Sequence, residues 1–206
     1  MDYEIGISPP EGVAESSDGT KKYLFRVSGD KFIESAYIPE NDRATLCVSS
    51  QAGCKMGCLF CMTGKQGFQG NLSSNEILNQ FRSIPEFSLL TNVVYMGMGE
   101  PLDNISEVLK SLEILTDSWG YGWSPTRITV STIGLKRNVR EFLEKSRCHL
   151  AVSLHSPFDE ERAMLMPVQK TNSIREVLDL IKEFDFSGQR RISFEYILFK
   201  GLNDSQ

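Results

Sequence analysis

Cys54-Lys-Met-Gly-Cys58-Leu-Phe-Cys61 is the stretch on which the interpretation of this chain depends. It holds three of the five cysteines at C-x3-C-x2-C spacing, and glycines stand inside it and on both sides. Because glycine lets the backbone turn sharply, we expect this loop to bring three thiolates to one metal centre.

The number of cysteines narrows the kind of centre. A structural zinc ion takes four ligands, whereas three thiolates on a [4Fe–4S] cluster leave one iron open to another molecule. The alternative interpretation is a zinc knuckle in which Cys47 supplies the fourth ligand. The spacing predicts metal at Cys54, Cys58 and Cys61 and favours a chemical centre over a structural one.

The composition is that of a globular protein and limits the function classes. At 206 residues, 40% of them hydrophobic and 24% charged, the chain can bury a core within one domain. The formal net charge of −5 counts against a module that only coats nucleic acid. Basic residues such as Lys55, Arg127 and Lys136 either line an RNA-binding mouth or are solvated charge. An odd number of cysteines at metal spacing, without an export signal or a membrane-length apolar run, predicts a cytoplasmic location.

Strand-like and helix-like segments alternate after residue 43. Short apolar runs predict strands. Residues 73–76 and 173–176 both fit the capping-box pattern, and apolar residues at helical spacing follow each of them. About five strands alternating with helices predict an α/β fold with a parallel sheet. Residues 21–42 are predicted to form a β-hairpin before this sheet, and residues 1–20 are predicted to be disordered or a linker.

Polar residues recur where the predicted parallel strands end, which is the edge where α/β proteins place their active sites. Gly99 and Glu100 end the second strand, Ser131 the third and Ser153 the fourth. Glycine there permits close approach of a ligand to the backbone. The alternative is that these residues form ordinary turns and satisfied polar caps, and that His155 is structural.

Four further segments resemble the RlmN/Cfr branch of the radical S-adenosylmethionine (SAM) enzymes, a branch that methylates adenine in RNA. They are residues 43–51 (RATLCVSSQ), 97–102 (GMGEPL), 129–134 (TVSTIG) and 150–155 (LAVSLH). The resemblance runs over about residues 34–204. It implies a partial (β/α) radical SAM barrel in residues 43–206, with about five of six parallel strands.

The resemblance also implies cofactors and residue roles. A [4Fe–4S] cluster is expected on the three loop cysteines, with SAM on its open iron. Cys47 is implied to be catalytic, resolving a covalent RNA–protein adduct, and Glu34 to be a proton acceptor. Cys148 matches no motif of the family and is interpreted as core. The residues implied to bind the cofactor are Gly99, Glu100, Ser131, Ser153, Leu154 and His155.

The implied activity is methylation of C2 of adenosine in 23S rRNA and tRNA, through a cysteine-bound methyl group and a 5′-deoxyadenosyl radical. An electron donor such as flavodoxin, a monomeric state and no membrane association are expected. In that branch a second catalytic cysteine lies near the C-terminus, but none follows Cys148 here. The chain is therefore interpreted as an incomplete fragment, inactive for full turnover. The alternatives are Cfr-like methylation at C8, another radical SAM reaction, and a non-catalytic zinc-binding module.

Overall fold

The computed structural model describes residues 7–204, which form ten strands and six α-helices. The strands are β1 (Gly12–Glu15), β2 (Lys21–Val27), β3 (Lys31–Glu40), β4 (Arg43–Cys47), β5 (Gln51–Ala52), β6 (Gly70–Asn71), β7 (Asn92–Tyr95), β8 (Ile128–Thr132), β9 (His149–Ser153) and β10 (Ile192–Glu195). The α-helices are α1 (Met62–Lys65), α2 (Ser74–Arg82), α3 (Ile105–Thr116), α4 (Lys136–Lys145), α5 (Asp159–Leu165) and α6 (Ile174–Lys182). Short 3₁₀ helices span Pro85–Leu89, Pro101–Asn104, Pro125–Arg127 and Pro167–Lys170.

One sheet of eight strands, in the order β1-β2-β3-β4-β7-β8-β9-β10, organises the molecule. The first four strands are antiparallel, and every pairing from β4 to β10 is parallel. Five parallel strands connected through helices confirm the predicted α/β class. No helix within the described residues is both long and apolar enough to cross a membrane.

The two faces of the parallel strands differ, as the alternation of side chains requires. On one face Leu46, Tyr95 and Val130 are fully buried against the helices. Each such side chain contributes about 1.5–3 kcal/mol through its removal from water. The opposite face carries half-buried smaller or polar side chains, among them Cys47 and Ser131. Since the helices cover the first face, the second is left for the site.

The N-terminal segment differs in part from its prediction. Residues 1–6 lie outside the described residues, but Gly12–Glu15 is a strand rather than disordered or linker, pairing with β2 from Gly12↔Leu24 to Glu15↔Lys21. A turn closed by the bond from the Ser16 N–H to the Thr20 carbonyl makes this pairing possible, so the turn-forming residues shape a hairpin. The predicted hairpin of residues 21–42 is present as β2 and β3, yet β3 also pairs with β4 and thereby joins the main sheet.

One predicted helix cap forms and the other does not. Ser73 and Glu76 make the capping box at the start of α2, with both reciprocal bonds in place. Ser173 stands at the N-cap of α6, but its side chain accepts no capping bond. Instead the Ile174 N–H donates to Oε1 of Gln169 at 3.1 Å, so a tertiary partner replaces the local cap.

Candidate active site

The cysteine loop leaves the small β5–β6 sheet and ends at α1, with Cys61 at the helix N-cap. Gly53 and Gly57 both take left-handed backbone conformations, with φ of +70° and +69°. The Cys54 N–H donates to the Gly67 carbonyl at 3.2 Å, which closes the base of the loop. The glycines thus shape the loop as its sequence predicted.

Replacing Gly53 and Gly57 separately by alanine is expected to give unequal losses of stability. Both variants incur the left-handed backbone strain, about 1–2 kcal/mol. A Cβ at Gly57 meets nothing within 4 Å, whereas one at Gly53 overlaps the Gly67 carbonyl oxygen. Gly53→Ala should therefore lose roughly a further 1–3 kcal/mol. Urea unfolding of both variants measures the difference, and equal losses would contradict the described packing of the loop.

A cavity of about 430 Å³ lies where the cysteine loop meets the carboxyl ends of the parallel strands. Eight residues singled out from the sequence line it: Cys54, Cys58, Cys61, Gly99, Glu100, Ser131, Ser153 and His155. Its volume is in the range of small-molecule sites in proteins. Residues from one loop and several strand ends, far apart in sequence, therefore share one concave surface.

Glu100 is held deep in the wall of this cavity. Its carboxylate accepts bonds from the Thr132 hydroxyl at 2.6 Å, the Ile133 N–H at 2.9 Å and the Leu102 N–H at 3.1 Å. Burial raises the pKa of Glu100 to about 7, although these donors act in the opposite direction. Glu100 thereby fixes the end of β8 to the loop after β7.

The pKa of Glu100 predicts a pH-dependent contribution to stability. Because the folded-state pKa of about 7 exceeds the ordinary 4.5, the folded protein binds this proton more tightly than the unfolded chain. The contribution of Glu100 to the free energy of unfolding is complete below about pH 4.5 and is lost as the pH rises through about 7. The change is on the order of 3 kcal/mol.

Glu100→Gln has no such titration and isolates the effect. The free energy of unfolding of the wild type minus that of the variant should fall between pH 4.5 and 8, as measured by urea unfolding at each pH. Parallel profiles for the two proteins would show that Glu100 does not titrate in this range.

Comparison with known proteins identifies the fold that carries this cavity. The family model described as the radical SAM superfamily matches residues 48–206. The chain belongs to the radical SAM superfamily. A radical SAM methyltransferase from Sphaerobacter thermophilus superposes with a TM-score of 0.90 at 36% identity, over 97% of this chain and 60% of that one.

Similar sequences fall within one group of radical SAM proteins. The probable dual-specificity RNA methyltransferase RlmN of Parabacteroides distasonis is 64% identical over 203 residues, which are 98% of this chain and 59% of that protein. The protein of the same name from Porphyromonas gingivalis W83 is 66% identical over 202 residues, with 98% and 59% covered. The chain thus spans about three-fifths of the length of these relatives.

Radical SAM proteins bind a [4Fe–4S] cluster and SAM, and the donor set of this chain fits both. Three thiols from one loop face the cavity, and soft thiolates are the ligands that iron–sulfur clusters take. Burial, and then the charges of Cys61 and Cys54, raise the pKa of Cys58 to about 12, so a cationic centre is needed to hold Cys58 as a thiolate. Within residues 7–204, no three His, Cys, Asp or Glu side chains are grouped closely enough to hold a single metal ion.

Cys47 and Glu34 lie on the helix-free face of the sheet, outside the lining of the radical SAM cavity. Cys47 pairs with Ala36 across β3 and β4, which makes Glu34 its diagonal neighbour on the same face. Burial, with a smaller effect of the Glu195 charge, raises the pKa of the Cys47 thiol to about 11. The Glu34 carboxylate is half-exposed and forms an ion pair with Lys22 at 3.0 Å. A zinc knuckle would need the Cys47 thiol beside the three loop cysteines. Cys47 instead belongs to β4 and does not line the cavity that the loop cysteines share.

The remaining predicted residues have defined structural partners. The Leu154 side chain packs against the core, and its N–H donates to the Glu195 carbonyl at 3.0 Å. His155 is buried, takes a left-handed φ of 55° and accepts a bond from the Ile197 N–H at 3.2 Å through Nδ1. Its ring packs edge-on against Phe60, with centroids 5.0 Å apart. These contacts favour the structural interpretation of the imidazole.

The basic residues near the strand boundaries have intramolecular partners. Lys55 pairs with Asp103 at 2.8 Å, and Lys136 pairs with Glu176 at 3.0 Å. The Arg127 guanidinium donates to the Leu90 carbonyl and stacks over the ring of Trp123, 4.0 Å from its centroid. Three of the basic side chains considered for an RNA-binding mouth are therefore engaged within the fold.

Three residues of the site were missed by sequence reasoning: Gln51, Arg162 and Glu195. Gln51 is fully buried and connects the Glu100 N–H at 2.9 Å with Asp103 at 2.8 Å. Arg162 is fully buried behind the strand ends. Glu195 ends β10 and lines the cavity. For Glu195 a signal existed, since it ends a parallel strand as Ser153 does. Gln51 closes the segment 43–51 that carries the resemblance, and Arg162 carries no signal.

Proposed function

We propose that this chain carries the cofactor-binding barrel of an RNA methyltransferase that adds a methyl group to C2 of adenosine in 23S rRNA and tRNA. The observation that carries the proposal is the meeting of three cysteine thiols with five residues at the ends of β8 and β9 or in the loops after β7 and β9, around one cavity. The names of the relatives, dual-specificity RNA methyltransferases, support the substrate class. Their greater length means that the proposal concerns the activity of a chain of their full extent.

The cavity residues divide into two groups in this proposal. Cys54, Cys58 and Cys61 hold the cluster, and the residues at the ends of β7, β8 and β9 hold SAM. When bound, the two cofactors supply a 5′-deoxyadenosyl radical through one-electron cleavage of the sulfonium. The buried Glu100 keeps the walls of β7 and β8 at a fixed separation through its three accepted bonds.

Cys47 and Glu34 act on the substrate side. The Cys47 thiol is protonated at neutral pH because its pKa is raised to about 11, so it must first give its proton to a base. As a thiolate it would attack the sulfur of the thioether, forming a disulfide bond while the carbon–sulfur bond breaks and the released carbon takes up a proton to become the methyl group. Glu34, its diagonal neighbour, accepts a proton on the same face. The Glu34 carboxylate is half-exposed and pairs with Lys22 at 3.0 Å.

A cytoplasmic location and a flavodoxin-like electron donor complete the proposal, together with a monomeric state. The five cysteines are all free, which is typical of a reducing compartment. Thiolate ligands and a reducible cluster both depend on such conditions.

Anaerobic reconstitution with iron and sulfide, followed by electron paramagnetic resonance with and without SAM, tests the cofactor site. A reduced-cluster signal that changes when SAM is added is the expected result. A signal that SAM leaves unchanged, or a colourless protein with stoichiometric zinc, would overturn the proposal.

The position of methylation needs a chain of the relatives' full length acting on 23S rRNA and tRNA. Mass spectrometry of nucleosides from the treated RNA should give 2-methyladenosine, and a Cys47→Ala variant should form no released product. Methyl at C8 would instead favour the Cfr-like alternative.

A further inference from the structure

Glu195 connects the two serines that the resemblance assigns to SAM. The hydroxyl of Ser131, on β8, donates to Oε2 of Glu195 at 2.8 Å. The hydroxyl of Ser153, on β9, donates to the same oxygen at 3.0 Å. Because Glu195 is on β10, one carboxylate ties the ends of three parallel strands at the cavity wall.

This arrangement fixes the hydrogen-bonding polarity of the wall. Each serine hydroxyl has one proton to donate, and both protons are directed to Glu195. Only acceptor lone pairs remain on the two hydroxyls. Both serine bonds go to Oε2 of Glu195, and Oε1 of an ionised carboxylate likewise only accepts. Three neighbouring oxygen atoms therefore present acceptors, and none presents a donor.

We infer that Glu195 is a positioning residue that holds Ser131 and Ser153 as hydrogen-bond acceptors for the ribose hydroxyls of SAM. The inference rests on the proposed function, because it requires SAM to occupy this cavity. Ribose hydroxyls are neutral donors, and an acidic side chain beside a strand end is a known way to bind them in nucleotide sites of other folds.

The Glu195 side chain is not needed to hold β10 in place. The backbone carbonyl of Glu195 accepts bonds from the Leu154 N–H at 3.0 Å and the His155 N–H at 3.2 Å. The parallel pairing of β9 and β10 is likewise made by the backbone. A change confined to the carboxylate should therefore alter the cavity wall and leave the strand in place.

Equilibrium dialysis of radiolabelled SAM against the reconstituted chain tests the inference. Glu195→Ala should weaken SAM binding roughly tenfold, as expected for lost charge-assisted hydrogen bonds. Ser131→Ala should weaken binding severalfold in the wild type but less than about twofold in the Glu195→Ala background, because the serine has already lost its orientation. Ser153→Ala should behave in the same way. If the loss of SAM affinity in each double variant equalled the product of the losses in its two single variants, the inference would be overturned.

The nature of the contact is tested with SAM analogues. The wild type should bind SAM more tightly than its 2′-deoxy and 3′-deoxy forms, and Glu195→Ala should lose most of that preference. Glu195→Gln, which keeps the shape but replaces one acceptor oxygen by a donor, should lose it as well. Unchanged discrimination in both variants would overturn the inference.

Two controls separate the possible failures. Glu183→Gln makes the same chemical change at an exposed carboxylate paired with Arg140, and it should leave SAM affinity unchanged. Thermal unfolding of each variant should follow the wild type. If the wild type with its cluster loaded does not bind SAM, the proposed function fails and this inference with it. If the wild type binds and the Glu195 variants bind equally well, only the inference fails.

Discussion

Replacing Cys58 by serine is expected to remove the iron–sulfur chromophore from the reconstituted chain, with bound iron falling roughly tenfold or more. A serine oxygen is a hard ligand that remains protonated at neutral pH, so it does not replace a soft thiolate. Among residues 7–204, three cysteines line the cavity, and the loss of one leaves two ligands for the whole cluster. Cys54→Ser and Cys61→Ser should give the same result by iron analysis and visible absorption.

The two cysteines outside the loop provide matched controls. Cys47 lies on β4 and Cys148 is buried beside β9, and neither is among the residues that line the cavity. Cys47→Ala and Cys148→Ala should therefore bind the wild-type amount of iron. If Cys47→Ala lost its metal as Cys58→Ser does, Cys47 would be a fourth ligand. The centre would then have no open position for SAM.

Much of the fold follows from local patterns in the sequence. Apolar residues at helical spacing after the capping box of Ser73 and Glu76 predict α2, and short apolar runs predict the parallel strands. Both patterns are local in sequence. They predict the fold because the same apolar residues are buried in the core of the structure. The strand β1 was missed because Gly12–Glu15 is mostly exposed and depends on pairing with β2.

The site could be predicted only where its residues belong to recognisable segments. The resemblance named eight of the residues around the cavity, because each is part of a short contiguous motif. Gln51 and Arg162 act through partners that are distant in sequence, such as Asp103 for Gln51 and Ile133 for Arg162. No periodicity or spacing records such contacts, since they depend on how the strands are arranged.

Replacing Arg162 by alanine is expected to lower the free energy of unfolding by about 3–5 kcal/mol. Its guanidinium, fully buried, donates to the carbonyls of Leu154 at 3.1 Å, Ile133 at 2.7 Å and Ser153 at 3.0 Å, and to the side chain of Gln169. Alanine would remove the guanidinium donor from the carbonyls of Ile133 and Ser153, and each buried acceptor left unpaired costs about 1–3 kcal/mol. The Leu154 carbonyl and Oε1 of Gln169 keep other donors, the Ser156 N–H at 2.7 Å and the Ile174 N–H at 3.1 Å. Urea unfolding of the wild type and the variant measures the difference.

Arg175 offers a matched control on a neighbouring helix. Its guanidinium pairs with Asp159 at 3.3 Å, but the side chain is 68% exposed. Arg175→Ala should therefore change the free energy of unfolding by less than about 0.5–1 kcal/mol. A loss for Arg162→Ala as small as that for Arg175→Ala would mean that water replaces the guanidinium at the carbonyls.

Arg162→Lys separates the charge of Arg162 from its geometry. Burial lowers the pKa of the Arg162 guanidinium to about 10, so this side chain remains charged at neutral pH. A lysine ammonium keeps that charge but has only three donors on one nitrogen and cannot reach acceptors spread around the edge of the planar guanidinium. If charge alone were required, the lysine variant would match the wild type. The two-sided bonding to Ile133 and Gln169 predicts instead that it regains only part of the loss and that the ends of β8 and β9 become less firmly held.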